Sequence, residues 1–90
     1  MRRWGEAMGK EFRDKGANVQ LGPGLCVGRV QRNGRTFEYI SGEDPILGYV
    51  LAKPLVEGIQ SNNVIANAKH WVNNNQETDR SVCPQLFALN

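Results

Sequence analysis

Ninety residues make at most one small domain, since a chain of this size buries roughly two-thirds of its unfolded surface and supports a single modest core. Hydrophobic residues are 40% of the chain, charged residues 22% and the net charge is +2, which excludes a disordered chain. The pI near 8.7 comes without the clustered Lys/Arg excess of a nucleic-acid binder, and nothing approaches the roughly 20 apolar residues of a membrane span, so neither partner is expected.

The basic start Met1-Arg2-Arg3-Trp4 has no apolar stretch behind it and does not read as a secretory signal. Cys26 and Cys83 permit one disulfide and demand none. Neither has a CxxC partner or a His at zinc spacing, so no metal is expected, and no cofactor motif occurs. There is no Asn-X-Ser/Thr sequon, which leaves the compartment open.

Residues 2–16 read as an amphipathic helix. Trp4, Met8 and Phe12 recur every four residues with Ala7 beside them, and Arg2, Glu6, Lys10, Arg13 and Asp14 take the other side. Glu6 with Lys10, and Lys10 with Asp14, place opposite charges at i,i+4. Gly16 sits where a left-handed C-cap is wanted; Gly5 and Gly9 count against the helix.

Ala17-Asn18-Val19-Gln20-Leu21 follows as a short strand, stopped by Gly22-Pro23-Gly24. From there to Asp44 periodicity is weak and Gly28, Gly34 and Gly42 punctuate the chain. Arg29, Arg32 and Arg35 recur at three-residue intervals with no acid among them. They are either a solvated loop without partners or a loop over a site, because structureless connections beyond roughly 12 residues are uncommon unless they bind something. Gly42-Glu43-Asp44-Pro45 then looks like a helix start, with Asp44 as N-cap and Pro45 at the first helical position. Leu47, Val50, Leu51, Leu55 and Ile59 mark an apolar stripe to about Gln60, and Pro54 inside it should kink the helix or shift its hydrogen bonds.

Val64-Ile65-Ala66-Asn67-Ala68 reads as a buried strand that delivers Lys69-His70 and a run of amides. A strand ending in a cation and a group that titrates near neutrality is a common way to build a ligand site, and equally a strand emerging into solvent. Strands alternating with helices of these lengths imply an α/β fold with parallel pairing through right-handed crossovers. In such folds ligands gather at the carboxyl ends of the strands, where both the Gly/Arg loop and Lys69-His70 fall by chain order.

Other chemistries fit less well. Gly22-Pro23-Gly24 lacks the GxGxxG spacing, the GK[ST] ending and a following helix, which argues against nucleotide binding. No Ser sits in a nucleophile elbow. Cys26 between Leu25 and Val27 reads as a packed thiol. Glu38, Glu43 and Asp44 could supply an acid–base pair, but Asp44-Pro45 is better explained as a helix cap.

Three stretches carry a family resemblance. These are E-F-R-D-K-G-A-N-V-Q-L-G-P-G over residues 11–24, R-N-G-R-T-F-E over 32–38 with S-G-E-D-P over 41–45, and A-N-A-K-H-W over 66–71 running into Asn75-Gln76-Glu77 and Arg80. In this order and spacing they resemble the amino-terminal barrel of glycoside hydrolase family 3 β-glucosidases, most of all the secreted enzymes of fungi and fungus-like microbes. The resemblance implies a fragment of a (β/α)8 barrel, about two βα units, over residues 1–80. It further implies a retaining glycosidase of terminal β-D-glucosyl residues in oligosaccharides such as cellobiose, extracellular in the parent, in which an aspartate attacks and a glutamate protonates the departing oxygen.

Carried over by motif, Arg35, Lys69 and His70, with Arg80 beside them, are similar to the residues that grip hydroxyls of the terminal glucose. The family's nucleophilic aspartate belongs to a motif farther along the barrel, and its acid/base glutamate to the following domain, so no catalytic residue is expected in this chain and the 90 residues are expected to be inactive alone. Residues 81–90 do not look like the family's continuation and read as a divergent tail, a gene-model or frameshift artefact. The alternative to an enzyme fragment is a non-catalytic remnant with weak carbohydrate binding or none. A free-standing module binding anions through Arg29, Arg32 and Arg35 is a third reading.

Overall fold

The computed structural model describes residues 1–32, 34–71, 74, 76 and 77. Its elements run helix, strand, helix, strand. They are α1 (Arg2–Asp14), β1 (Val19–Gln20), α2 (Pro45–Gln60) and β2 (Ile65–Ala66), with a 3-10 turn at Thr36–Glu38. Arg80, Cys83 and the tail at 81–90 lie outside the described residues.

Both helices begin and end where their sequence signals say. Ala17 N donates to Phe12 O and Gly16 N to Arg13 O, with Gly16 at φ +80°, a Schellman closure of α1 that needs a residue tolerant of the left-handed region. At the start of α2, Asp44 Oδ1 accepts from Ile46 N at 2.8 Å and Pro45 takes the first turn. The helix runs unbroken through Pro54, which lacks the N–H that would serve the Val50 carbonyl.

The interior face of α1 differs from the expected stripe. Gly5 and Gly9 are the buried residues of α1, Met8 and Phe12 pack partly, and Trp4 is 62% exposed. Backbone meets backbone across the two helices. A Cβ on Gly58 would stand 2.9 Å from Gly5 Cα, and one on Gly9 2.5 Å from the Ile59 carbonyl oxygen. The glycines that weaken α1 as an isolated helix therefore let it lie directly on α2. Asn62 Nδ2 donates to Glu6 O at 3.0 Å and tethers the end of α2 to α1. Lys10 pairs with Asp14 as expected, whereas Glu6 pairs with Arg2 at 3.1 Å instead of with Lys10.

The core is small: Leu55, Ile59 and Val64, with Met8, Phe12, Ile40 and Ala66 against it. Each fully buried aliphatic side chain contributes about 1.5–3 kcal/mol. β1 and β2 pair in parallel with Val19 opposite Ile65 and Gln20 opposite Ala66. Val64, Ala66 and Gln20 face the helices; Val19, Leu21 and Ile65 are exposed on the other face. The strand at 64–68 is thus buried on one face only, not on both.

The pairing continues beyond the strands proper. Asn67 N donates to Gln20 O, Lys69 N to Pro23 O, and Leu25 N to Lys69 O, and Gly24 bridges to Lys69. Between the Gln20 and Pro23 acceptors lie three steps of the first strand, against two between Asn67 and Lys69. Leu21-Gly22 therefore forms a one-residue bulge, closed by Gly22 N donating to Gln20 O at 2.9 Å. Among the described residues, no helix is long and apolar enough to cross a membrane.

Candidate functional site

The site forms where the two strands end. β2 hands the chain to Lys69-His70, whose joining peptide bond is cis, as is that of Gly22-Pro23. The segment after β1 leaves on the same side and does not wander. Ile40 N donates back to Gly24 O, Gly28 N to Gly42 O, and Ser41 Oγ to Leu25 O at 2.7 Å. Buried Ser41 fits because Gly48 of α2 leaves no side chain against it: a Cβ there would meet Ser41. The stretch read from sequence as either a solvated loop or a loop over a site is clasped at three places, and this clasp brings Arg35 and Tyr39 over the strand ends.

Tyr39 is 5% exposed and lies across Gly24, where a Cβ would stand 3.0 Å from Tyr39 Cε1. Its ring meets His70 edge-to-face, with centroids 5.8 Å apart and planes at 75°. Tyr39 Oη is 3.3 Å from His70 Nδ1, and Asn74 Nδ2 donates to Tyr39 Oη at 2.9 Å. Asn74 Nδ2 is also 3.1 Å from His70 Nδ1, 3.3 Å from Nε2, and 3.4 Å from Glu77 Oε1.

Glu77 closes the circuit on Arg35, accepting from Nη1. On its other edge Arg35 holds Glu38 with two bonds, Nε to Oε1 and Nη2 to Oε2, the second at 3.3 Å. Such a fork on a carboxylate fixes the plane of the guanidinium. Among the described residues, three of its five N–H groups are engaged, which leaves one on Nη1 and one on Nη2 for a further acceptor.

The electrostatics follow from this geometry. Bonds to Glu38 first, and to Glu77, raise the Arg35 pKa. The Glu38 carboxyl is held below its usual range, first by the Arg35 hydrogen bonds and then by the charges of Arg35, Lys69 and His70. Burial raises the Tyr39 phenol. His70 is pushed down, first by burial and then by the charges of Lys69 and Arg35, which keeps the ring neutral at neutral pH. Two cations and one neutral imidazole thus converge, with carboxylates holding one cation in place. A neutral polyol, presenting oxygens that accept and hydroxyls that donate, matches this set of groups better than an anion does. Glu38 and Glu77 already answer the charge of Arg35.

Of the residues singled out from sequence, Arg35, Lys69 and His70 come together. Arg80 lies outside the described residues, and Arg29 and Arg32 are exposed. Glu38 and Asp44 are engaged as an Arg35 partner and a helix cap, and Glu43 accepts from Gln31. Sequence reasoning missed Tyr39, Asn74 and Glu77 as members of the cluster. Glu38 had a local signal, an opposite charge three residues from Arg35, whereas Tyr39 meets His70 across 31 positions. Among the described residues, no group of three potential metal ligands occurs.

The family model described as "Glycosyl hydrolase family 3 N terminal domain" matches residues 1–82. The chain is similar to Beta-glucosidase BoGH3A of Bacteroides ovatus, at 47% identity over 75 residues that cover 83% of this chain and 10% of that protein. It is also similar to Probable beta-glucosidase E of Aspergillus fumigatus, at 50% identity over 78 residues, 86% of this chain and 8% of that one. The chain thus spans about a tenth of the length of the curated relatives it matches.

Among solved structures it resembles beta-glucosidase 3B from Thermotoga neapolitana in complex with alpha-D-glucose, with a TM-score of 0.80, 45% identity, and coverage of 87% of this chain and 11% of that one. A Bifidobacterium adolescentis GH3 beta-glucosidase gives a TM-score of 0.78 at 44% identity, covering 88% of this chain and 12% of that one. The architecture is accordingly a piece of a (β/α)8 barrel, about two βα units, as expected. The helices α1 and α2 belong to its outer ring, and the exposed Val19, Leu21 and Ile65 lie on the face that a closed barrel turns inward.

Proposed function

The chain belongs to glycosyl hydrolase family 3, and from that membership we propose that it supplies the glucose-gripping part of a retaining β-glucosidase acting on terminal non-reducing β-D-glucosyl residues. Arg35, Lys69 and His70 hold hydroxyls of the terminal sugar, with Arg80 as a further grip. The observation that carries this reading is the convergence of Arg35 and His70, through Glu77 and Asn74, at the carboxyl ends of two parallel strands. Barrel enzymes assemble their ligand sites at that end.

The division of labour follows from charge. A retaining glycosidase needs two carboxylates about 5–5.5 Å apart, one free to attack and one able to donate a proton. Glu38 is committed to Arg35 and held ionised by it, so it donates no proton near neutrality. His70 is neutral and can donate or accept toward a hydroxyl. The cations Arg35 and Lys69 donate to sugar oxygens, and bonds of this kind strengthen as the ring approaches its oxocarbenium-like transition state. On this reading residues 1–80 are the barrel part, and these 90 residues bind the sugar without cleaving it.

Glucose binding and turnover test the proposal separately. Glucose should perturb the ring resonances of His70, the one histidine of the chain, and Lys69→Ala or Arg35→Ala should weaken that response about tenfold or more, as expected for loss of a charged hydrogen bond. No response at saturating glucose overturns the gripping role. Turnover of an aryl β-glucoside above background, abolished by Lys69→Ala, overturns the inactivity of the isolated chain.

A further inference from the structure

Tyr39 has no part in the family motifs, yet it joins the ends of both strands, touching Gly24 after the first and His70 after the second. It rests on Gly24, stands edge-to-face against His70, and shares hydrogen bonds with both His70 Nδ1 and Asn74. We propose that Tyr39 is a positioning residue for His70, fixing the plane of the imidazole and its tautomer so that Nε2–H is the donor presented to ligand.

An amide N–H is a donor only, so Asn74 Nδ2 at 2.9 Å makes Tyr39 Oη the acceptor of that bond. The phenolic proton is then left for His70 Nδ1, 3.3 Å away. An Nδ1 that accepts belongs to the imidazole carrying its proton on Nε2.

The remaining Asn74 contacts agree with this. Asn74 Nδ2 sits 3.1 Å from Nδ1 and 3.3 Å from Nε2; a point in the ring plane that close to both nitrogens would collide with Cε1, so Nδ2 lies off the plane, over the face of the ring. Asn74 therefore covers one face of the imidazole and does not compete for either in-plane position. The ring is held by an edge-to-face contact, a bond at Nδ1 and a covered face, and Nε2–H is the donor left over.

The charged groups around the imidazole come from each segment that packs on it. Lys69 precedes it in the chain, Arg35 and Glu38 come from the 3-10 turn region, and Glu77 stands on the far side of Asn74. The two cations disfavour imidazolium and the two carboxylates favour it. The Tyr39 hydroxyl adds a bond that exists only with the neutral ring, since imidazolium has no acceptor at Nδ1.

This inference rests on the proposed gripping role only for what Nε2–H meets; the tautomer itself is independent of sugar. The single histidine makes the test clean, because every imidazole resonance of the 90-residue chain belongs to residue 70. Nitrogen-15 spectra of the full chain at neutral pH should show the Nε2–H form in large excess. Tyr39→Phe keeps the ring on Gly24 and deletes only the hydroxyl; it should shift the population toward a mixture and raise the His70 pKa by about half a unit to one unit, the size of one net hydrogen bond. Tyr39→Leu should add loss of ring-current shifts on His70, while far-UV circular dichroism reports whether α1 and α2 persist.

An unchanged tautomer and pKa in Tyr39→Phe, with the helices intact, overturns the proposal, as does an Nδ1–H excess in the unmodified chain. Should Tyr39→Phe fail to fold, Asn74→Ala gives the second reading. It leaves Tyr39 Oη free to accept from an Nδ1–H and so should weaken the Nε2–H preference in a folded chain; no change there counts against the proposal. Glucose-induced shifts that are absent while the tautomer is as expected would remove the sugar and leave the positioning role standing.

Discussion

Tyr39 lies close enough to Gly24 that a single methyl group would displace it: a Cβ at residue 24 would be 3.0 Å from Tyr39 Cε1 and nearer still to Cδ1. The contact joins the bulged end of β1 to the segment carrying Arg35. A change on one side is therefore felt at His70 on the other. Gly24→Ala is expected to push the phenol out of its place, expose His70 and return its pKa toward 6.5, because burial is the largest cause of the depression. Histidine titration by NMR checks this, with circular dichroism expected to show the helices retained. A depressed pKa that survives the substitution counts against the coupling.

The α1–α2 seam makes a second prediction. In an isolated helix Gly→Ala stabilises by about 1 kcal/mol. At residue 58 the added methyl would meet the Arg2 carbonyl oxygen and Gly5 Cα, both backbone, so neither can rotate aside. Overpacking of this kind costs about 1–3 kcal/mol, and the clash wins. Gly58→Ala should lower the urea midpoint, whereas the same change at exposed Gly16 should cost only about 1 kcal/mol through its positive φ. Equal effects at the two positions would argue that the helices do not touch at Gly58.

The cap on α2 is a third. Asp44 Oδ1 accepts from Ile46 N at 2.8 Å, and removing such a cap costs about 1 kcal/mol. Asp44→Ala should show this in denaturant unfolding and Asp44→Asn should recover most of it. An equal loss in both variants would mean that the charge near the helix start matters more than the hydrogen bond.

The pH dependence has a definite sign. The folded chain holds His70 below its ordinary 6.5, so on acidification the unfolded chain takes up that proton first. Stability is therefore full above 6.5 and falls as pH drops from there to the folded pKa. Farther down, Glu38 and Asp14, ordinarily at 4.5 and 3.8, are also depressed, and their contributions are present above those values and lost as pH falls through their folded ones. Urea midpoints measured from about pH 7 to about pH 5 should decline, and His70→Gln should flatten that upper part of the curve while leaving the acid limb. A decline of the same size in the variant would assign it to other groups.

Much of the frame was legible because its signals are local. The Asp44-Pro45 start, the Gly16 stop and the strand before Lys69-His70 are each written within a few residues, and the elements stand where they were expected. The interior of α1 was not legible in the same way. Periodicity assigns burial to large apolar residues, so it favoured Trp4 and passed over Gly5 and Gly9. Close backbone approach rewards the missing side chain, a property of the partner helix rather than of α1 itself.

The site divides along the same line. Lys69 and His70 stand at a strand end, and Arg35 stands in a glycine-punctuated segment; sequence marked all three, first by pattern and then by family resemblance. What sequence alone determined is therefore the alternation of helix and strand, the caps and the polar groups delivered to the strand ends. The tertiary structure alone decided that Tyr39, Asn74 and Glu77 link His70 to Arg35, that Glu38 holds a guanidinium in place, and that burial lowers the His70 pKa. Those outcomes depend on which distant segments the clasp at Leu25, Gly28 and Gly42 brings into contact. Hydrogen bonds and burial act over a few ångströms in space, and between Tyr39 and His70 that span covers 31 residues of chain.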